Sequence, residues 1–357
     1  LVGSEMCIRD SDKTGGGSFF EDFRVGQTIA HATPRTVTAG DVALYQALYG
    51  PRFALQSSDA FAGALGLDRA PVDDLIAFHI VFGKTVPDVS LNAVANLGYA
   101  DGRFLARVHP GDTLSASSEV IGLKENSNRR TGVVWVRSTG VNQRGETVLS
   151  YVRWVMVRKR DEAAPAPRPT VPDLPASVAD LHVPDGIDFG AWDDVRAGAP
   201  HRWGDYEVGE RLDHVDGVTV EEAEHMMATR LWQNTARVHF DQHAASGGRF
   251  GRRLVYGGHI ISLARALSFN GLANACLLGA INGGSHCNPS FAGETIYAWS
   301  EVLQRIELPG RADVGALRLR TVAAKDRPCA DYPDRGPDGR YDPAVVLDLD
   351  YTVLLPR

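Results

Sequence analysis

The sequence predicts an α+β fold built twice in one chain, each half a long helix wrapped by a curved antiparallel sheet. Three observations predict it. The chain has 357 residues, too many for one small core and suited to two domains or one domain duplicated. It repeats itself: "EDFRVGQTIAH" at 21–31 returns as "GDYEVGERLDH" at 204–214, and "PGDTLSASSEV" at 110–120 returns as "AGETIYAWSEV" at 292–302, at offsets of 183 and 182. Each half also runs in one coarse order, an extended entry, a helix, a loop, a longer apolar helix and then strands.

Taken in chain order, "LVGSEMCIRDSDKTGGGS" at 1–18 has no hydrophobic period and is expected to be a non-native or disordered leader outside the fold, Cys7 with it. The first half then occupies 19–160. Helical patterns cover 41–50 and about 74–86, and "TGVVWVRSTGVN" and "TVLSYVRWVMVRK" carry the β-branched and aromatic residues of paired strands. A linker is expected over 161–200, opening on the proline- and alanine-rich "DEAAPAPRPTVPDLPAS". The second half, 201–357, repeats the order with helices at 219–232 and about 258–270 and with "GALRLRTVAA" and "VVLDLDYTVLL" as weaker strands.

Composition narrows the function. An apolar content of 44% with 23% charged residues is that of a globular enzyme or binding protein, and a net charge of −7 offers no footprint for nucleic acid. No run approaches the roughly 18 apolar residues of a membrane span, and no signal-peptide pattern is seen. The four cysteines, Cys7, Cys276, Cys287 and Cys329, lack metal-type spacing, so reduced thiols and a cytoplasmic setting are expected.

The chemistry centres on "NTARVHFDQH" at 234–243, a loop between a helical pattern and a glycine-rich segment. His239 titrates near neutrality when unperturbed and can move a proton. Asn234 can hold a water by hydrogen bonds but has no proton to relay. His239, Asp241 and His243 form H-x-D-x-H, but a further ligand and a fixed second shell are not in evidence, so no metal is expected. "LVYGGHIISLARAL" at 254–267 opens a helix on Gly257 and Gly258, whose N–H groups would suit a thioester oxyanion. His259, His286 and Cys287 are expected to serve core packing.

These features together resemble the hotdog fold, in which two helix-and-sheet units pair around an acyl-thioester site, here fused as a double hotdog over residues 19 to 357. The loop is similar to the hydratase motif of the MaoC-type enoyl-CoA hydratases. Gln233 and Asn234 fall on that motif's Gly-Asp, Ala236 and Arg237 on its Asn-Pro, and Val238, His239 and Asp241 on its aliphatic, His and Asp positions. Asn234 thus stands where the family has its catalytic Asp. Pro51 and Gln56 fall opposite Asn234 and His239 in the first half, so one active site per chain is expected.

Longer strings, including "FHIVFGKTVPDVSLNAVANLGYADGRFLARVHPGDTL" and "RLWQNTARVHFDQH", resemble a branch of the family that hydrates mesaconyl-CoA reversibly to β-methylmalyl-CoA in glyoxylate and acetyl-CoA assimilation. The resemblance implies a CoA-thioester partner, no cofactor, and catalysis by His239 with Asn234. Asp241 or Glu222 stands as the substitute carboxylate, although Asp241 suits a helix cap better. It also implies a cation for the substrate's second carboxylate, with Arg237 or Arg52 as candidates. Hotdog thioesterase activity and non-catalytic acyl-CoA binding stay open, as does assembly into a homodimer or higher homo-oligomer.

Overall fold

The two copies of the repeat fold alike in a computed structural model that describes residues 13–357. The first half supplies β1 (Thr28–Thr36), β2 (Ala93–Phe104), β3 (Thr113–Glu125), β4 (Thr131–Val141) and β5 (Thr147–Arg158), paired antiparallel in the order β1-β3-β4-β5-β2. The second supplies β6 (Arg211–Asp213), β7 (Val218–Thr219), β8 (Leu277–His286), β9 (Thr295–Glu307), β10 (Val314–Lys325) and β11 (Val345–Pro356), in the matching order β8-β11-β10-β9-β6 with β7 also on β9. Strands β2 and β8 pair antiparallel, Tyr99 opposite Gly284 and Arg103 opposite Ala280, so both halves share one eleven-stranded sheet.

The repeated strings are the framework of this pairing. His31 places Nε2 2.8 Å from Ser118 Oγ, and His214 places Nε2 2.8 Å from Ser300 Oγ, one copy of the same bond in each half. Gly26 and Gly209 turn the chain at φ 82° and 89°, a region glycine enters without steric cost, and each N–H donates to the matching valine carbonyl, Val120 and Val302, at 2.8 Å.

Helix α1 (Ala39–Tyr49) starts on Thr38, which accepts from Asp41 N, and stops at Gly50 with φ 62°. The long helices α2 (Asp74–Thr85) and α4 (Gly257–Leu267) are buried along nearly their whole length, as their unbroken apolar runs require. Between them in sequence lies α3 (Glu222–Leu231). The long helices meet where Ser262 Oγ lies 2.7 Å from His79 Nε2 and accepts from the Tyr45 hydroxyl at 3.4 Å. A long helix against a curved antiparallel sheet, twice, is the expected α+β architecture.

Two expectations need correction. Residues 1–12 and Cys7 lie outside the described residues, but the leader's remainder is not outside the fold: Asn92 Nδ2 donates to Gly16 O at 2.9 Å and to Ser18 O at 3.2 Å. The span 161–200 is no loose tether. Thr170 pairs with Leu123, and Ile187, Phe189 and Trp192 bury in an apolar cluster with Leu277 and Leu354, because the crossing chain roofs the second half's sheet.

Candidate active site

The two long helices begin differently, and the difference locates the site. Asp73 caps α2, accepting from Leu75 N at 2.9 Å, and Asp74 accepts from Leu278 N at 2.8 Å. One repeat length later stand Tyr256 and Gly257, and α4 starts with no side-chain cap. A helix start leaves N–H groups unpaired with a positive dipole end, so α4 offers an anion-receptive terminus where α2 fills its own with carboxylate. A Cβ on Gly257 would collide with the His286 ring and one on Gly258 with the Tyr256 ring, so the glycines let both rings lie against the terminus. Tyr99 hydroxyl and His286 Nε2 are 3.2 Å apart.

The loop after α3 brings His239 to this terminus. Its ring sits edge-on to Tyr256 with centroids 5.7 Å apart. Nδ1 lies 2.8 Å from the Leu254 carbonyl oxygen, which can only accept, so Nδ1 carries the hydrogen and Nε2 is the free base. Asn234 is buried, and its Oδ1 accepts from Ala236 N at 2.9 Å, leaving the amide nitrogen as the donor for a water.

The first half holds this loop from below. Lys84 of α2 bonds Gln233 Oε1, Arg35 of β1 bonds the Leu231 carbonyl, and the Trp232 ring stacks on His79 at 5.0 Å. Gln233 itself has φ 53°, the left-handed conformation for which the family motif has glycine, at a cost of order 1 kcal/mol that these anchors offset. Gly83 makes the approach possible, since a Cβ there would collide with the Trp232 carbonyl.

Burial pushes His239 and His286 each down to about 4, and the charge of His239 further opposes protonation of His286. Both imidazoles are therefore neutral at physiological pH. Burial does the same to His79 and His259, lowered to about 3, and to His214, lowered to about 4. In these three the folded pKa lies below the unfolded value of about 6.5, so the unfolded chain takes up protons first. Their contribution is complete above about pH 6.5 and is lost as pH falls toward the folded values, about 1.4 kcal/mol per pH unit for each imidazole. Asp74, pushed up to about 7 chiefly by burial, keeps a proton the unfolded chain releases and adds stability as pH falls. Asp73, also raised by burial, acts in the same direction, and the three imidazoles outnumber these two carboxyls. Urea midpoints are expected to fall steeply between pH 6.5 and 4.5; a flat profile would mean these imidazoles do not stay neutral in the fold.

Other expected site residues lie elsewhere. Asp241 is an N-cap, accepting from Ala244 N at 2.9 Å, the helix-cap role that also suited it in the sequence. Glu222 is over half exposed, ion-paired with Arg253 and 3.3 Å from His225 Nε2. Arg52 stacks over Phe269 at 4.4 Å, beyond the far end of α4 and about 16 Å along that helix from Gly257 at 1.5 Å per residue, too far for a short acyl group. Arg237 is exposed beside the loop. Among the described residues no group of His, Cys, Asp and Glu is arranged to hold a metal ion, and His243 faces solvent.

In the first half, Gln56 donates to the Cys276 carbonyl at 2.6 Å, and Arg265 of α4 lies over the neighbouring Phe53 ring at 3.6 Å. That side is packed shut. His259 packs as expected, its Nδ1 3.2 Å from the Tyr49 hydroxyl, and Cys287 turns its thiol to the Ser285 carbonyl. His286 does not merely pack, because it abuts the open helix start. Sequence reasoning also passed over Tyr256, Tyr99, Phe82 and Arg153. Only the last had a signal: in Tyr151-x-Arg153-x-Val155-x-Val157 a charge occupies the face that alternation gives to the core.

A cavity of about 320 Å³ opens beside the loop, between Ser90, Leu91 and Arg158 of the first half and Arg237, Arg249 and Arg252 of the second. Four guanidinium groups at one opening of a chain with net charge −7 make it a local anion-attracting mouth.

The chain is similar to known proteins along nearly its whole length. The family model described as mesaconyl-CoA hydratase matches residues 5–335. The chain is 68% identical to the β-methylmalyl-CoA dehydratase of Chloroflexus aurantiacus, over 97% of this chain and 99% of that protein. It is 66% identical to the mesaconyl-CoA hydratase of Cereibacter sphaeroides, over 97% of this chain and the whole of that protein. Among solved structures, a MaoC domain protein from C. aurantiacus superposes with a TM-score of 0.95 over 97% of this chain and 99% of that one, at 68% identity. A conserved Mycobacterium tuberculosis protein described as a double hotdog fold superposes at 0.76, with 26% identity, covering 96% of this chain and 99% of that one.

Proposed function

Since the chain belongs to the mesaconyl-CoA hydratase family, we propose that His239 alone carries the proton transfers of its reaction, with Asn234 holding the water. The chain is a hydro-lyase that adds water reversibly to mesaconyl-CoA to give β-methylmalyl-CoA. The observation that supports the division of labour is the bond from His239 Nδ1 to the Leu254 carbonyl, which leaves Nε2 as a base beside the uncapped start of α4.

Hydration follows from these positions. The Asn234 amide nitrogen donates to the water oxygen and His239 Nε2 takes one of its protons as that oxygen bonds to the β-carbon. The double-bond pair shifts toward the thioester, and the enolate oxygen is met by the N–H groups of Gly257 and Gly258. The imidazolium then returns its proton to the α-carbon, so the elements of one water are added and the base is regenerated. The four arginines at the mouth take the CoA phosphates, which moves Arg237 from the acyl group to the nucleotide.

An ultraviolet and HPLC assay with thiol detection tests this reading. Wild type is expected to convert mesaconyl-CoA to β-methylmalyl-CoA without releasing CoA thiol. Thiol release would indicate thioester hydrolysis, and binding without turnover a non-catalytic protein. In the same assay Asn234→Ala is expected to lower kcat about 100-fold, the usual scale for a lost positioning contact. A loss within a few-fold would remove Asn234 from water positioning.

A further inference from the structure

Arg153 is a fully buried cation. It lies in β5 with its side chain wholly buried, facing α2. Nη2 donates to Thr85 Oγ1 at 2.7 Å and to Ser90 Oγ at 3.2 Å, both at or just past the C-terminal end of α2. The guanidinium lies over the Phe82 ring at 4.4 Å. Nε and Nη1 are buried with no hydrogen-bond partner, and no ion pair reaches Arg153 among the described residues. A guanidinium does not give up its proton in a protein, so burial cannot neutralise it. A fixed buried cation with two idle donors calls for an anion that arrives from outside.

Its surroundings are those of the site. Tyr99, directly opposite Arg153 in the β2–β5 ladder, reaches His286 with its hydroxyl. Phe82 is 5.5 Å, centroid to centroid, from Tyr256, the ring that covers the start of α4. Ser90 lines the arginine-rich cavity and also binds Nη2. Arg153 therefore lies behind Ser90 of the arginine-rich cavity and against Phe82 and Tyr99, which lead to Tyr256 and His286 at the start of α4. A substrate whose thioester oxygen meets Gly257 and whose CoA fills the mouth extends its short acyl end into this side. That acyl end carries the second carboxylate.

We propose that Arg153 binds the distal carboxylate of the substrate through its two unpaired donors and so sets the preference for a dicarboxylic over a monocarboxylic enoyl-CoA. This assignment rests on the hydratase reading above and replaces both arginines expected from the sequence. The planar fork matches a carboxylate, and Phe82, Tyr99 and Tyr256 close off water, so the pair forms where it is strong. The substrate brings the counter-charge that the described residues do not supply.

The test compares mesaconyl-CoA with 2-methylcrotonyl-CoA, which has a methyl group in place of the distal carboxylate. Wild type, Arg153→Gln and the volume-preserving Arg153→Met are assayed side by side. The expected result is a fall of about 10³-fold in kcat/KM for mesaconyl-CoA, the scale of breaking one partner of a buried charge pair, with a change under about threefold for 2-methylcrotonyl-CoA. Equal losses on both substrates, or an unmoved ratio, would overturn the assignment. Should both variants fail to fold, the 4-methyl ester of mesaconyl-CoA puts the question to wild type: the ester should be poorer by a similar factor, and hydration at the acid's rate sinks the proposal. A wild type inert with mesaconyl-CoA overturns the hydratase reading, whereas activity with an unmoved ratio overturns only the role of Arg153.

Discussion

Replacing His239 with alanine is expected to reduce hydration of mesaconyl-CoA by at least about 10³-fold while leaving KM within a few-fold. General acid–base catalysis by one positioned group contributes roughly 10² to 10⁴, and here a single imidazole both takes the water's proton and returns one to carbon. The upper part of that range applies because Asn234 cannot substitute for either transfer. In the proposed arrangement the substrate contacts lie on Gly257, Gly258, Arg153 and the arginines of the mouth, none of which the substitution removes. A loss below tenfold would place the proton transfers on another group, with His286 the first alternative.

The pH profile gives a second readout of the same residue. Burial pushes His239 down to about 4, so the free enzyme holds it as a neutral base throughout the physiological range. The kcat/KM profile is expected to be level from pH 6 to 8 and to fall only below about pH 5. An acid limb near the ordinary imidazole value would mean that His239 is more hydrated in solution than its packing against Tyr256 and Leu254 implies. The steep acid loss of stability expected from His79, His214 and His259 makes it necessary to measure this limb by short exposures in the assay buffer.

How far the site could be read from the amino acids depended on whether a feature is local. The duplicated strings were legible because their function is structural: His31 with Ser118 and His214 with Ser300 fasten the same turn of chain in each half. His239, Asn234 and the glycine pair were legible because one loop and one helix start carry them within about 25 residues of sequence. Strands β2 and β8, which join the halves, were missed because Gly98, Gly102, Gly279, Gly283 and Gly284 interrupt any alternation of apolar side chains. The proposed carboxylate partner was hidden for the same kind of reason. Proximity in sequence favours Arg237 and a repeat argument favours Arg52, whereas Arg153 lies on a strand of the other half, over the Phe82 ring. Composition cannot show that two of its donors are idle. Pro51 and Gln56 pointed to a silent first half, and the structure adds two differences the sequence did not show: Asp73 caps the helix start and Arg265 covers Phe53.

The contact that joins the halves at the site is itself expected to be sensitive. Gly83→Ala adds one methyl group on α2 where the Trp232 carbonyl already touches the helix and Asn234 N lies 3.4 Å from the new carbon. Neither backbone can yield freely: α2 is buried along its length, and the loop is tied to it by Lys84, Arg35 and the stacking of Trp232 on His79. The loop must lift, carrying Asn234 away from the helix start and shifting His239 with it. Displacements near 1 Å in a reacting constellation cost about 100-fold in rate, and overpacking a filled core costs about 1 to 3 kcal/mol. Both losses are expected together, as a fall in kcat of about 100-fold and a lower urea midpoint with an unchanged slope. The same substitution at Gly63, where an added Cβ meets nothing within 4 Å, is the control and should leave both values near wild type. If Gly83→Ala kept its rate while losing stability, the loop would owe its placement to Lys84 and Arg35 rather than to the depth of its seat on α2.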